Sequence, residues 1–267
     1  MNLDEFFKKS WQDYIEITPS AKRIVSLLEK EGEVIKNDHI ALRTFSHSKV
    51  KMDIFSDYFI SKGYLKKDHY FFPEKKLNAF HFEHKEDFER PKIFISELDL
   101  GAFGPSFQSL IFELMEKIPL GSTFEDLYEL GNPWFGDLSF KDYELLRTKS
   151  EYAAWLAVMG IRANHFTISL NNLKKYSTVQ KINDFLKFHH FSLNTVGGEI
   201  KGGPGVFLEQ SSTMADKINM TFSDGEFEVS SCYYEFALRY KREDGKYFQG
   251  FVANSAGNIF ESTHLKG

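Results

Sequence analysis

One cysteine, Cys232, occurs among the 267 residues, so no intrachain disulfide is available and a reducing compartment, the cytoplasm, is expected. No stretch approaches the roughly 18 apolar residues of a membrane span, and Met1-Asn2-Leu3-Asp4-Glu5 lacks the basic, then apolar, order of an export signal. Neither export nor membrane insertion is expected. A basic excess is also missing: the formal charge is -5 and the pI about 6.0, which offers a phosphate backbone no general attraction and argues against a nucleic-acid partner. What is present in quantity is phenylalanine, 28 residues of it, bringing aromatics to 16%. Side chains of that size fill cores and line apolar pockets, so an ordered globular protein follows.

Apolar residues recur at helical spacing at Phe6, Phe7, Trp11, Tyr14 and Ile15, and Thr18-Pro19 restarts a helix that runs to Gly32. The pattern then changes. Residues 38–45 read as a strand, 52–62 as a helix ended by Gly63, and Tyr64–Phe72, Asn78–His84 and Lys92–Leu98 as three more strands. A mainly helical stretch covers 107–159, after which a strand at 164–170, a helix at 178–188 and further strands repeat the earlier order. The chain is expected to close on a hairpin of Val229–Tyr240 with Gly250–Thr263, turning at Glu243-Asp244-Gly245. The reading is therefore α+β: N-terminal helices (1–36), a first βαβββ module (37–103), a helical insert (104–160) and a second module (161–267), all in one domain.

Alternate residues of a strand share a face, so His39, Ala41 and Arg43 project together, as do His165, Thr167 and Ser169 in the equivalent strand. Each polar face is led by a histidine. Near the C-terminus Glu235 shares a face with Tyr233, Ala237 and Arg239 between two aromatic neighbours, and a buried carboxylate needs a cation or a proton. Two imidazoles and a carboxylate on facing strands make a facial triad with open positions on Fe(II). Their separations, 126 and 70 residues, carry little information by themselves.

Local context carries more. Tyr233-Tyr234-Glu235-Phe236-Ala237-Leu238-Arg239, followed by Gly250-Phe251 and Ile259-Phe260-Glu261-Ser262, resembles the C-terminal block of 4-hydroxyphenylpyruvate dioxygenase, where the glutamate of the first segment is an iron ligand. With residues 37–45 and Ala163-Asn164-His165-Phe166-Thr167 added, most of the chain resembles the 2-oxoadipate dioxygenase/decarboxylase family. That resemblance implies a vicinal-oxygen-chelate fold, its two modules forming a partly open barrel, and a metal held by His39, His165 and Glu235. It implies Fe(II), with another divalent metal able to occupy a purified sample. It also implies that Arg43 holds a substrate carboxylate, a role that suits a planar guanidinium fork. The expected partners are a 2-oxo dicarboxylic acid and O2, with 2-oxoadipate giving 2-hydroxyglutarate and CO2. Asn254 and Ser255 are further candidates to reach the pocket.

Other readings stand beside these. Glu235 has Arg239 as a possible ion-pair partner, and Glu261 competes with it for the metal. His81, Glu83 and His84 form a local cluster in which His81 and Glu83 share a strand face and offer a second, cupin-like site, with surface or rim residues as the favoured reading of all three; His189-His190 at a helix end reads as structural. The glycine-rich stretch 197–205 lacks the paired lysine and serine of a phosphate loop and a following helix, and reads as a mobile loop or turn. On the same three ligands a Lewis-acid hydrolase, isomerase or lyase is the alternative reaction, and a metal-free acid-binding module is a third reading.

Overall fold

The structure, a computed structural model, describes residues 1–263; the side chains of Asn254 and Phe260, and all of His264, lie outside the described residues. Helices α1 (Leu3–Ile17) and α2 (Pro19–Lys30) open the chain. Asn2 caps α1 through its side chain while Glu5 returns a bond to the Asn2 amide, and Pro19 starts α2 where no amide donor is needed. Then follow β1 (Asn37–Phe45), α3 (Met52–Ser61), β2 (Tyr64–Phe72), β3 (Leu77–His84) and β4 (Lys92–Leu98), the strand, helix and three strands expected of the first module.

The insert holds α4 (Pro105–Met115), α5 (Phe124–Leu130), α6 (Phe140–Lys149) and α7 (Glu151–Met159). Its last helix is buried from Tyr152 to Met159, apolar on every side because it is wrapped by the rest of the fold. The second module has β5 (Ala163–Ser169), α8 (Val179–Phe188), β6 (Lys201–Gly203), β7 (Leu208–Ser212), β8 (Lys217–Phe222), β9 (Gly225–Ser230), β10 (Glu235–Arg239) and α9 (Ala253–Ile259).

Eight strands make one curled sheet in the order β2-β3-β4-β1-β5-β10-β7-β6. The modules meet at β1 and β5, which run antiparallel, while each is flanked on its other side by a parallel strand, β4 beside β1 and β10 beside β5. The second half thus repeats the first, with β10 in the place of β4. Strands β8 and β9 form a separate two-stranded ribbon inserted before β10. The glycine-rich stretch supplies β6 and its flanking turns.

The closing hairpin is a correction. Val229–Tyr240 divides between β9 and β10, and Gly250–Thr263 is α9 followed by a 3-10 turn over Phe260–Thr263. Strand β10 already has β5 on one edge and β7 on the other, so no edge remains for a returning strand. The turn at 243–245 survives only as the tip between the single bridge pair Lys241 and Tyr247.

Candidate metal centre

His39 and His165 sit on the two central strands, and Glu235 opens β10 beside β5, where it stands opposite Thr167. The structure brings these three side chains together. His39 Nε2 is 3.5 Å from Glu235 Oε1, His165 Nε2 is 3.3 Å from Glu235 Oε2, and one donor atom from each lies within 4.8 Å of the others. Donors bound at about 2.0–2.2 Å to one ion stand about 3 Å apart, so the set has the dimensions of a metal site.

All three are buried. Burial holds the His39 and His165 imidazoles below their usual range; hydrogen bonding to Asp38 opposes the shift at His39, and the nearby charges of His39 and Arg43 deepen it at His165. Burial pushes the Glu235 carboxyl up to about 8, against the opposing hydrogen bond from Gln210. Two neutral imidazoles and a carboxylate that keeps its proton for want of a cation form a donor set that a divalent ion completes. The residues fit such an ion.

Each histidine is oriented by the residue before it. His39 Nδ1 lies 2.8 Å from Asp38 Oδ1, and His165 Nδ1 lies 3.0 Å from Asn164 Oδ1, which leaves both Nε2 atoms facing Glu235. Gln210 donates from its side-chain amide to Glu235 Oε1. The signal that the sequence carries for Asp38 and Asn164 is a side-chain oxygen immediately before each histidine. Phe94, Gln210, Phe251 and Ile259 complete a cavity of about 20 Å³ around the triad, room for a single small ion or water.

Arg43 lies farther along β1 and lines a neighbouring cavity of about 300 Å³ together with Lys75, Arg147, Tyr152 and Glu261. Its guanidinium is 4.8 Å from the Tyr152 ring centre and 4.9 Å from that of Trp155, both on α7. Tyr152 is pinned in turn, accepting from the Thr44 amide at 2.9 Å and bonding the Ser96 carbonyl at 2.6 Å. The helical insert therefore builds an aromatic seat for the arginine.

Ser255 is buried on α9 close to Gly202, outside the set that lines the triad cavity. Glu261 pairs with Lys75 and is not in the triad, and Arg239 pairs with Asp38 in place of Glu235. His81 bonds Tyr70 and Glu83, and no second three-residue ligand cluster occurs among the described residues. His189 caps α8.

The family model described as 2-oxoadipate dioxygenase/decarboxylase matches residues 134–243. The chloroplastic 2-oxoadipate dioxygenase/decarboxylase of Arabidopsis thaliana is 33% identical over 276 residues, covering 94% of this chain and 74% of its own. The chain belongs to the 2-oxoadipate dioxygenase/decarboxylase family. Within the family, the Oryza sativa hydroxyglutarate synthase, solved in complex with 2-oxoadipate, is similar at 30% identity and a TM-score of 0.85, covering 97% of this chain and 92% of that one. A Shewanella frigidimarina protein, named provisionally as a hydrolase, is similar at 45% identity and a TM-score of 0.87 over 94% of this chain and 98% of that one. A Ralstonia eutropha protein assigned to the glyoxalase superfamily shares the fold at 20% identity and a TM-score of 0.70, over 91% of this chain and 83% of that one. The two-module architecture is thus of vicinal-oxygen-chelate type.

Proposed function

We propose that this protein is a non-haem Fe(II) dioxygenase that converts 2-oxoadipate and O2 to 2-hydroxyglutarate and CO2. The observation that carries the reading is the buried His39, His165 and Glu235 set in a chain of this family. Iron held by these residues would supply a Lewis-acid centre and a redox relay to O2, with the oxo acid, which loses CO2, as the source of the electrons. The chain's own groups do the rest. The two imidazoles and the carboxylate would hold the ion, and Phe94, Phe251 and Ile259 line the rest of the cavity around it. Those apolar side chains exclude bulk water from the reacting carbons. Arg43 engages the distal carboxylate of the acid as a bidentate donor, held at a fixed angle by Tyr152 and Trp155.

A Lewis-acid hydrolase on the same ligands is the second reading, favoured by the name of the Shewanella relative. Oxygen uptake separates the two. Protein loaded with Fe(II) under anaerobic conditions and given 2-oxoadipate in air is expected to consume one O2 per 2-hydroxyglutarate formed, and His165→Ala to abolish both. Metal binding without oxygen uptake rejects the dioxygenase and favours the hydrolase.

A further inference from the structure

Behind His39 lies a buried network that the proposed reaction does not use. Asp38 receives two bonds from Arg239, Nε at 2.6 Å to Oδ2 and Nη2 at 2.8 Å to Oδ1, and both side chains are buried. Nη1 of Arg239 donates to two backbone carbonyls, Phe248 at 2.9 Å and Gly250 at 2.8 Å. The next residue is Phe251, whose amide donates to the Tyr70 hydroxyl at 3.0 Å and whose ring meets His39 edge-on at 4.8 Å.

Arg239 donates to both oxygens of Asp38, so toward His39 that carboxylate is an acceptor, and the imidazole, whose Nδ1 lies 2.8 Å from Oδ1, carries a proton on Nδ1. Its Nε2 then has a bare lone pair, and the Thr167 hydroxyl, 3.1 Å away, is placed to donate to it. The other histidine is built differently. Asn164 is an amide, able to accept through oxygen or donate through nitrogen, and its Nδ2 has no hydrogen-bond partner among the described residues. The related positions therefore hold a carboxylate backed by a guanidinium on one side and an unbacked amide on the other.

We propose that Asp38 and Arg239 are positioning residues of the metal centre: Asp38 fixes the proton of His39 on Nδ1, and Arg239 fixes both Asp38 and the 248–250 backbone that seats Phe251 against the same imidazole. The inference rests on the reading of His39 as a metal ligand. Its physical content is that one ligand is set in its metal-binding tautomer before any ion arrives, and that the wall of the cavity is tied to that ligand through one arginine.

The test begins with the wild-type metal-free protein carrying 15N-labelled histidine. The His39 resonances are expected to show Nδ1 protonated and Nε2 bare at pH 7.5; a proton on Nε2 overturns the proposal and requires no variant to fold. Cobalt(II) titration then compares wild type with Asp38→Asn, whose fold is checked by circular dichroism. Affinity is expected to fall about 10–100-fold. Unchanged affinity in a folded variant overturns the assignment of Asp38. Arg239→Lys keeps the charge but not the fork, and the Phe251 amide is expected to exchange with solvent at least about tenfold faster, its protection being tied to the Arg239 contacts. Unchanged protection overturns the assignment of Arg239. Wild type that binds no cobalt rejects the metal reading of the site itself, a result separable from the tautomer seen by NMR.

Discussion

His39 and His165 occupy the same position in the two halves of the protein. Ile40 stands opposite Phe166 where β1 meets β5, so each residue of β1 corresponds to the one 126 positions later, and His39 corresponds to His165. The same register places Asp38 with Asn164 and Ala41 with Thr167. Since Ala41 is paired with Phe94 and Thr167 with Glu235, Phe94 takes in the first half the place that Glu235 takes in the second. The centre has one carboxylate because its symmetry is broken at that pair, with an apolar wall facing the acid across the cavity.

Glu235 gives the metal-free protein a defined pH dependence. Its carboxyl titrates at about 8 in the fold and at about 4.3 in an unfolded chain. Across that interval the fold holds the extra proton, so this contribution to stability is full below about 4.3 and is lost as pH rises to about 8. The two histidines act oppositely, favouring the fold increasingly until the unfolded chain loses its protons near about 6.5. Of these three groups Glu235 alone changes charge between about 6.5 and 8. The midpoint of thermal unfolding without metal is expected to fall across that window, and to be flatter there in Glu235→Gln.

Metal binding must displace the same proton. Calorimetry in two buffers of different ionisation enthalpy is expected to show about one proton released per ion at pH 7 and close to none above pH 9. Equal release at the two pH values would contradict a protonated Glu235 in the metal-free site.

Arg43→Lys keeps a positive charge and removes both the fork and the planar group that lies against Tyr152 and Trp155. KM for 2-oxoadipate is expected to rise by about tenfold or more, with kcat changed much less, because the loss falls on holding the distal carboxylate. Steady-state oxygen uptake measures both.

Phe94→Ala empties the wall opposite Glu235. Phe94 is buried and its ring packs against that of Phe251 at 5.0 Å. A loss of about 3–5 kcal/mol in unfolding free energy is expected from a truncation of this kind, read from urea denaturation.

Gly160 ends α7 and delivers the chain to β5, the strand of His165. Its φ is +74°, and a Cβ there would stand 2.4 Å from the Gly131 carbonyl oxygen, which receives the Ile161 amide. Gly160→Ala is expected to cost at least about 1–3 kcal/mol of stability from backbone strain. The same denaturation assay checks it.

Much of this architecture was legible in the residues. The first module, the insert and the opening of the second follow from apolar periodicity, whereas His39, His165 and Glu235 are named as a ligand set by the resemblance to the family, and the fold places the three side chains together. The C-terminal arrangement was not legible. Aromatic residues in 229–263 resemble strand formers locally, but whether a strand forms depends on a free sheet edge, and β10 has none. The roles of Asp38, Asn164 and Gln210 are not legible in the sequence, because a hydrogen bond to a ligand leaves no periodic mark.

What the sequence by itself determined is the order of elements as far as α8 and the chemical kind of each strand face there, since both rest on spacings of two to four residues along one chain. Tertiary structure alone decided which faces meet. The pairing of Ile40 with Phe166 brings two histidines 126 residues apart to one point, and the crossover past the β8–β9 ribbon carries Glu235 to them. Burial then sets the charge of that carboxylate, for an isolated glutamate in water has no reason to keep its proton near pH 7.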